Sequence, residues 1–502
     1  MKRRHFLRAG AALAAAAALP TPRRLEALYR PVTRPAGDVP AITGDGRALV
    51  LRAEAIADLA ARIRGRVLLA EHDAYQQARM VLNPSFDKRP ALIVQVTGAA
   101  DIREAVRFAR ENENLLVAVK CGGHSFSGAS TCDLGMMIDL SGFRAVEVDP
   151  IAQTARVTGG SLLGQVDHET MSYGLVTPMG TVSHTGVGGL VTGGGFGRLA
   201  RRFGLSVDNL ISVDMVGADG DFHRASENEN PDLFWGVRGG GGNFGVVTSF
   251  EFRLHPMQRQ VLGGQIVYPI SRAREVLGVF NDYGPSAPDP LQLDCAVVIP
   301  PGGEPGIAAF SVCYSGPASQ ADRALAPLRA AGRPIVDDVR SMDYVAIQKS
   351  GDVDDFRAQA MYLKSGFVNE IAPGLMDVIA DGMEGHPGRL TQMVFVQGGG
   401  AIERVPNSAT AFSQRDKFAN LLGIVGWPYP TDGSEHSRWI RDYWPSVEPY
   451  TRGFYTNDLE PGHATQVVNE NYRDNFDRLV QVKNRYDPTN LFRLNANIEP
   501  SV

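Results

Sequence analysis

Apolar and polar positions along this chain follow short, mixed periods at both ends and longer strand-like runs in the middle. From about Tyr75 the apolar residues recur at helical spacing through Val106 and Phe108, with Asp101 predicted to cap the helix start. An unbroken apolar run over residues 115–119 reads as a buried strand, and it opens into a glycine turn carrying a histidine, Gly122-Gly123-His124. Val146-Glu147-Val148 and Ala155-Arg156-Val157 flank Asp149-Pro150 and predict a hairpin. A helix is expected over residues 162–173, stopped at Gly174. Phe250, Phe252 and Leu254 alternate with Glu251 and Arg253, a half-buried strand ending at Pro256.

Residues 258–450 change character. Strand-like runs at 265–270, 295–299, 310–314 and 393–396 are separated by helical segments, one of which, 319–331, is kinked or split by Pro327. This pattern predicts an α+β layer on a mostly antiparallel sheet, inserted between two motif-bearing regions, 70–257 and 451–502. Residues 20–70 are rich in Pro, Arg and Ala and carry no motif.

The N-terminus adds a destination. Lys2-Arg3-Arg4-His5-Phe6-Leu7 precedes an alanine-rich apolar run over 9–19, shorter than the roughly 20 residues a membrane span needs. It resembles a twin-arginine export signal, so residues 1–30 are read as signal and leader. The mature chain is then periplasmic or secreted, with the twin-arginine export machinery as a partner. The formal net charge of −5 becomes −9 without Lys2, Arg3, Arg4 and Arg8, which argues against nucleic acid or an anionic membrane as a partner. The 502 residues allow two to three domains. Cys121, Cys132, Cys295 and Cys313 show no metal-type spacing. They read as buried thiols or as structural disulfides such as Cys121–Cys132.

The chemistry lies in the glycine loops. Gly193-Gly194-Gly195-Phe196-Gly197, ahead of a helix-like segment, and the histidine loop both offer runs of backbone N–H groups to an anion. Two such loops in one region suggest a large phosphorylated cofactor. No Gly-x-Ser-x-Gly elbow or His-Glu-x-x-His helix is present, which leaves a hydrolase or metal enzyme poorly supported.

Four segments carry a family resemblance: Lys120-Cys121-Gly122-Gly123-His124-Ser125; the stretch from Gly174 through Pro178 and Gly186 to Gly197; Asp208-Asn209-Leu210 with Asp232–Trp235 and the run from Arg238 to Val246; and the tail from Tyr486 through Asn495 to Ile498. Together they resemble the berberine bridge enzyme family, FAD-linked oxidases of the vanillyl-alcohol oxidase (PCMH-type) superfamily. The resemblance implies an α+β fold, in which a two-subdomain FAD-binding domain carries an inserted α+β substrate domain on an antiparallel sheet. It implies FAD joined through the His124 ring to the flavin 8α-methyl. The implied cofactor contacts come from Lys120, Cys121, Gly122, Gly123, Ser125 and Gly128. Further along they come from Pro178, Gly180, Thr181, Val182, Thr185, Gly186 and Gly189. Gly193, Gly194, Gly195, Phe196 and Gly197 follow, then Val246, Val247, Asn495 and Asn497.

Two departures matter. Val182 stands where many relatives place a cysteine that forms a second flavin link, so attachment through His124 alone is expected. Ser183-His184-Thr185 replaces the usual Pro-Thr-Val/Leu, and Thr185 leaves oxygen reactivity open. His184 reads either as an active-site acid or base or as a polar residue packed by the cofactor. The resemblance places Tyr455, Asn457 and Asp458 in the active site. Tyr455 serves as base only if nearby cations lower its pKa from about 10; Asp458 is the second candidate. Trp427, Tyr429, Trp439, Tyr443 and Trp444 line a pocket or pack in the core. The function implied is oxidation of an alcohol, carbohydrate, or phenolic or alkaloid-like metabolite, with O2 as acceptor and H2O2 released. The alternatives are a dehydrogenase using a quinone or another acceptor, and a flavin-carrying binding protein without catalysis.

Overall fold

The computed structural model describes residues 35–352, 355, 357–460, 468 and 471–502, so the twin-arginine segment lies outside the described residues. The histidine loop grows from a four-stranded sheet ordered Arg66–Leu68, Leu92–Gln95, Met136–Asp139, Val117–Lys120. Its last three strands run parallel, and they are apolar on both faces because both are covered. Leu92, Val94, Val117, Met136 and Ile138 face the helices Ala53–Arg62 and Ala99–Glu111. Ile93, Ala118 and Met137 face a smaller cluster around Tyr75. Among the described residues the first regular element is Val39–Ile42, inside the stretch that carries no motif, and Leu51, Ile56 and Leu59 complete the same core as Leu92.

Asp101 does not cap its helix from the N-cap position, which is Gly98. It sits in the first turn, where its carboxylate accepts from the N–H of Arg64 at 2.8 Å, Gly65 at 3.0 Å and Thr97 at 2.9 Å. It thus joins the helix start to the preceding strand.

A five-stranded antiparallel sheet follows, ordered Phe222–Ser226, Leu210–Gly217, Gly245–Arg253, Thr154–Thr158, Val146–Asp149. The expected hairpin around Asp149-Pro150 is its edge. The helix expected over 162–173 is Leu163–Met171.

The third sheet is the inserted layer. Its strands run Val336–Asp337, Gln260–Pro269, Ile307–Tyr314, Leu291–Ile299, Leu390–Gln397, Ala419–Pro428, Gln359–Val368, with Arg340–Asp343 also on Gln260–Pro269. Every pairing is antiparallel. The segment 319–331 is split as expected, into an α-helix, Ala321–Leu325, and a 3₁₀ turn, Ala326–Ala331. One sheet face packs on helices through Leu293, Phe310, Phe395, Leu421, Phe280 and Trp444. The alternate positions, among them Asp294, Ala296, Ser311 and Val394, face the other way and line a cavity. Of the aromatics singled out in the sequence, Trp427 and Trp444 belong to the helix–sheet core, and Trp439 stacks on Tyr443 against it at 4.9 Å. None of the five lines either cavity described below.

All four cysteines are free thiols. No helix among the described residues is long and apolar enough to cross a membrane. They also hold no cluster of His, Cys, Asp or Glu that could bind a metal ion.

The C-terminal segment returns to the first sheets through a buried ion pair. Lys483 Nζ meets Asp487 Oδ2 at 2.7 Å and donates to the carbonyls of Asn243 at 2.8 Å and Phe492 at 2.9 Å. Asp487 in turn accepts from the N–H groups of Leu491 and Phe492. Both side chains are fully buried, and removing the cation strands a carboxylate, at a cost of about 3–5 kcal/mol. Lys483→Met is therefore expected to lower the urea unfolding midpoint by that much stability. Adding Asp487→Asn to it is expected to restore part of the loss.

Candidate active site

The strand Val117–Lys120 ends with Lys120 turned into the protein. Its Nζ bonds the carbonyl of Ala78 and lies 3.7 Å from Asp139 Oδ2. The five following residues, Cys121 to Ser125, line a cavity of about 400 Å³ between the four-stranded and five-stranded sheets. Val117 and Val119 contribute to it from the first sheet, Val246 and Val247 from the second.

Across the cavity mouth the histidine loop meets a second loop. A Cβ on Gly122 would lie 2.3 Å from Gly186 N, and one on Gly186 would lie 2.3 Å from Gly122 N and 2.4 Å from Cys121 Sγ. The two backbones touch, and only glycine permits it. Gly186 caps the helix Val187–Gly193, whose first turn, with Gly188 and Gly189, lines the cavity. A helix start of this kind favours a phosphate. A Cβ on Gly189 would project into open space.

His124 lies between two polar neighbours. Its Nε2 is 2.7 Å from His184 Nδ1, and its Nδ1 is 3.2 Å from Thr185 Oγ1. Burial, reinforced by His184, pushes the His124 pKa down to about 4, so the ring is neutral at pH 7. Gly180, Thr181, Val182 and Thr185 line the same cavity, as do Phe196 and Asn495.

Several of the expected residues do not line this cavity. Gly193, Gly194, Gly195 and Gly197 do not line the cavity. A Cβ on Gly195 would lie 2.2 Å from Ser206 Oγ, and one on Gly197 would lie 1.6 Å from Met179 O. These glycines let the chain pass close to its own neighbouring segments, and it is Gly186, Gly188 and Gly189 that line the cavity. Lys120 is the internal anchor described above. Gly128 packs against the Phe86 ring, and the Pro178 carbonyl accepts from Ser206 Oγ at 2.7 Å. Asn497 lies off the cavity, beside Ile498, whose N–H donates to Asn243 Oδ1.

Tyr455, Asn457 and Asp458 all reach the cavity. The Tyr455 hydroxyl accepts from Gly195 N–H and from Asn457 Nδ2, both at 2.8 Å. Burial and then the Asp458 carboxyl hold its pKa well above the ordinary phenol value, and the groups favouring the phenolate are the hydrogen-bond donors, with no cation among them. The condition set for Tyr455 as a base is therefore unmet. Asp458 behaves differently: burial lifts its carboxyl to about 7, against one donor, Asn420 Nδ2, at 2.7 Å from Oδ2.

A second cavity of about 350 Å³ lies under the inserted sheet, lined by Arg198, Gln265, Asp294, Ala296, Ser311 and Val394 among others. Thr181, Phe196, Leu422, Tyr455 and Asp458 border both cavities. Sequence reading missed this lining, because alternation along single strands does not say which face meets a ligand. It also passed over Gly241 and Gly242 as site residues. Both lie in the quoted Arg238 run, and both line the first cavity. Ser127 and Ser130 also line it, and no sequence signal beyond nearness to His124 marks them.

The glycine-walled cavity, its helix start and a neutral imidazole fit a flavin dinucleotide. Comparison with known proteins gives the same class. Residues 90–226 match the FAD binding domain family, residues 454–499 the "berberine and berberine like" family, and residues 1–20 the twin-arginine translocation signal. The chain is an FAD-dependent oxidoreductase carrying an export signal. It is 33% identical to an FAD-linked oxidoreductase of Dictyostelium discoideum, over 82% of this chain and 89% of that one. It is 29% identical to the xylooligosaccharide oxidase of Thermothelomyces thermophilus, over 82% and 88%. The crystal structure of 6-hydroxy-D-nicotine oxidase from Arthrobacter nicotinovorans superposes with a TM-score of 0.80 at 27% identity, covering 88% of this chain and 98% of that one. The chain belongs to the berberine bridge enzyme-like FAD-linked oxidoreductases. It has the PCMH-type α+β fold, takes a small-molecule substrate, and is exported to the periplasm or beyond by the twin-arginine machinery.

The Gly122–Gly186 contact gives a direct test of the cavity. Gly122→Ala must push the two loops apart, and Val187 N–H, bonded to Ser161 O at 2.9 Å, resists the shift. The variant is expected to purify with at least about tenfold less FAD per chain, a loss of more than 1.4 kcal/mol in binding, measured by flavin absorbance against protein.

Proposed function

We propose that this enzyme is an oxidase with FAD held through His124 alone. Its substrate enters the cavity beneath the inserted sheet, and Asp458 takes the substrate proton. The observation that carries this reading is the position of Asp458, a buried carboxyl near neutrality on the wall shared by the two cavities. A base works best with a pKa near the operating pH, and Asp458 meets that requirement where Tyr455 does not. Bound FAD supplies the two-electron, hydride-accepting centre at its N5. Tyr455, fixed by Gly195 and Asn457, orients the substrate. Val182 lines the first cavity and offers no thiol, which supports a single link. In this division residues 70–257 and 451–502 form the FAD-binding domain, with 35–69 added to its core, and 258–450 form the substrate domain.

The substrate is an alcohol, carbohydrate, or phenolic or alkaloid-like metabolite. Similarity to both a xylooligosaccharide oxidase and a nicotine oxidase supports that range. Dioxygen is the acceptor and H2O2 the product. A second reading, a dehydrogenase using a quinone, is favoured by Thr185, a hydroxyl on the cavity wall at a position where the family resemblance implies an apolar side chain. Oxygen uptake with stoichiometric peroxide during turnover is expected. Turnover only with a quinone or dye would select the dehydrogenase, and a substrate library that never bleaches the flavin would select a binding protein.

Because Asp458 must be ionised to accept a proton, kcat/KM is expected to rise with pH through about 7. Asp458→Asn is expected to lower kcat/KM by about 10²–10⁴-fold and abolish that limb, with FAD content unchanged. Tyr455→Phe is expected to keep the limb. If Tyr455→Phe removes it and Asp458→Asn does not, the assignment is reversed.

A further inference from the structure

Asp352 fixes the loop that carries His184 from outside the flavin cavity. Its carboxylate accepts from Ser183 N–H at 2.8 Å and from the Ser183 hydroxyl. On the other side, the N–H groups of Leu163 and Gly164, at the start of helix Leu163–Met171, donate to the carbonyls of Thr185 at 3.0 Å and Ser183 at 2.8 Å. A loop held on both flanks presents His184 Nδ1 to His124 Nε2 at 2.7 Å and Thr185 Oγ1 to His124 Nδ1 at 3.2 Å. The two rings sit 4.7 Å apart, tilted at 45° and not stacked.

A neutral imidazole has one N–H and one lone pair, so these two neighbours decide which nitrogen is the nucleophile. If His124 Nε2–H donates to His184 Nδ1, the lone pair rests on Nδ1, where the Thr185 hydroxyl can donate to it. We infer that His184 is the positioning residue and proton acceptor for attachment of the flavin to this chain, setting His124 as the Nε2–H tautomer so that Nδ1 forms the bond. This inference rests on the reading that FAD is linked through His124. An imidazole that alkylates at Nδ1 while keeping Nε2–H becomes a cation in a buried site, which is costly. Passing the Nε2 proton to His184 moves that charge off the linked ring onto the loop that the Asp352 carboxylate flanks. In the net reaction one C–H of the 8α-methyl and the N–H of His124 are replaced by one C–N bond. The two electrons and two protons released go to dioxygen or another two-electron acceptor.

The experiment follows attachment rather than turnover. Full-length apoprotein from riboflavin-starved cells is mixed with FAD in air. Flavin remaining with acid-precipitated protein is measured over time, alongside total bound FAD before precipitation. Wild type is expected to become covalently labelled and His124→Ala not at all. His184→Ala is expected to bind FAD to a similar level but to attach it about 10²-fold more slowly, with free imidazole accelerating it. A merely structural role for His184 would give no response to imidazole. Should His184→Ala fail to bind FAD, His184→Asn keeps an acceptor in the place of Nδ1 without its basicity, and slow attachment there supports the inference. Attachment at the wild-type rate in either variant overturns the role of His184 and leaves the His124 link standing. Wild type with no covalent flavin overturns both.

Discussion

The contact between the backbones of Gly122 and Gly186 is the constraint on which the rest of the site depends. One loop leaves the parallel sheet at Lys120, and the other starts the helix Val187–Gly193. Neither could approach the other with a side chain between them. Their contact brings Cys121, His124 and Thr185 to one cavity wall and sets the first turn of a helix facing the same space. Lys120, tied to Ala78 and paired with Asp139, and Gly186, held through the neighbouring Val187 to Ser161, keep both loops from relaxing apart.

A second dependence runs through the C-terminal segment. Tyr455 and Asp458 come from a part of the chain more than two hundred residues beyond the glycine loops, yet the Tyr455 hydroxyl bonds Gly195 directly. The tight turn around Gly193–Gly197 exists to receive that hydroxyl and Ser206. The buried Lys483–Asp487 pair secures the chain that follows, so that Asn495 reaches the cavity. Residues scattered over the sequence thus share one wall through buried polar contacts that leave little freedom of placement.

The inserted sheet supplies the other half of the site by simple alternation. Leu293 and Cys295 on one strand lie against helices, while Asp294 and Ala296 turn to the opposite side. Asn420, from the strand Ala419–Pro428, reaches across to hold Asp458. The wall shared by the two cavities is therefore built jointly by the two layers, and burial at their junction separates Asp458, brought near neutrality, from Tyr455, held protonated.

The sequence by itself determined the local elements and the class. Glycine spacing around His124, the Asp149-Pro150 hairpin, the Pro327 break and the tail motif were all legible, because turns and strand periods depend on neighbouring residues. Those motifs also identified the cofactor and the export signal. Two strands, Ala419–Pro428, which lends Asn420 and Leu422 to the second cavity, and its edge neighbour Gln359–Val368, were not legible, since their pairing partners are distant in sequence. Nor was the division of labour among the glycines. Gly186–Gly189 and Gly193–Gly197 look alike as strings, and only the neighbours each one touches decide that the glycines of the first set line the first cavity and those of the second do not. The contrast in acidity between Tyr455 and Asp458 likewise waited on tertiary structure, because a side chain's acidity is set by burial and by partners brought from elsewhere in the chain.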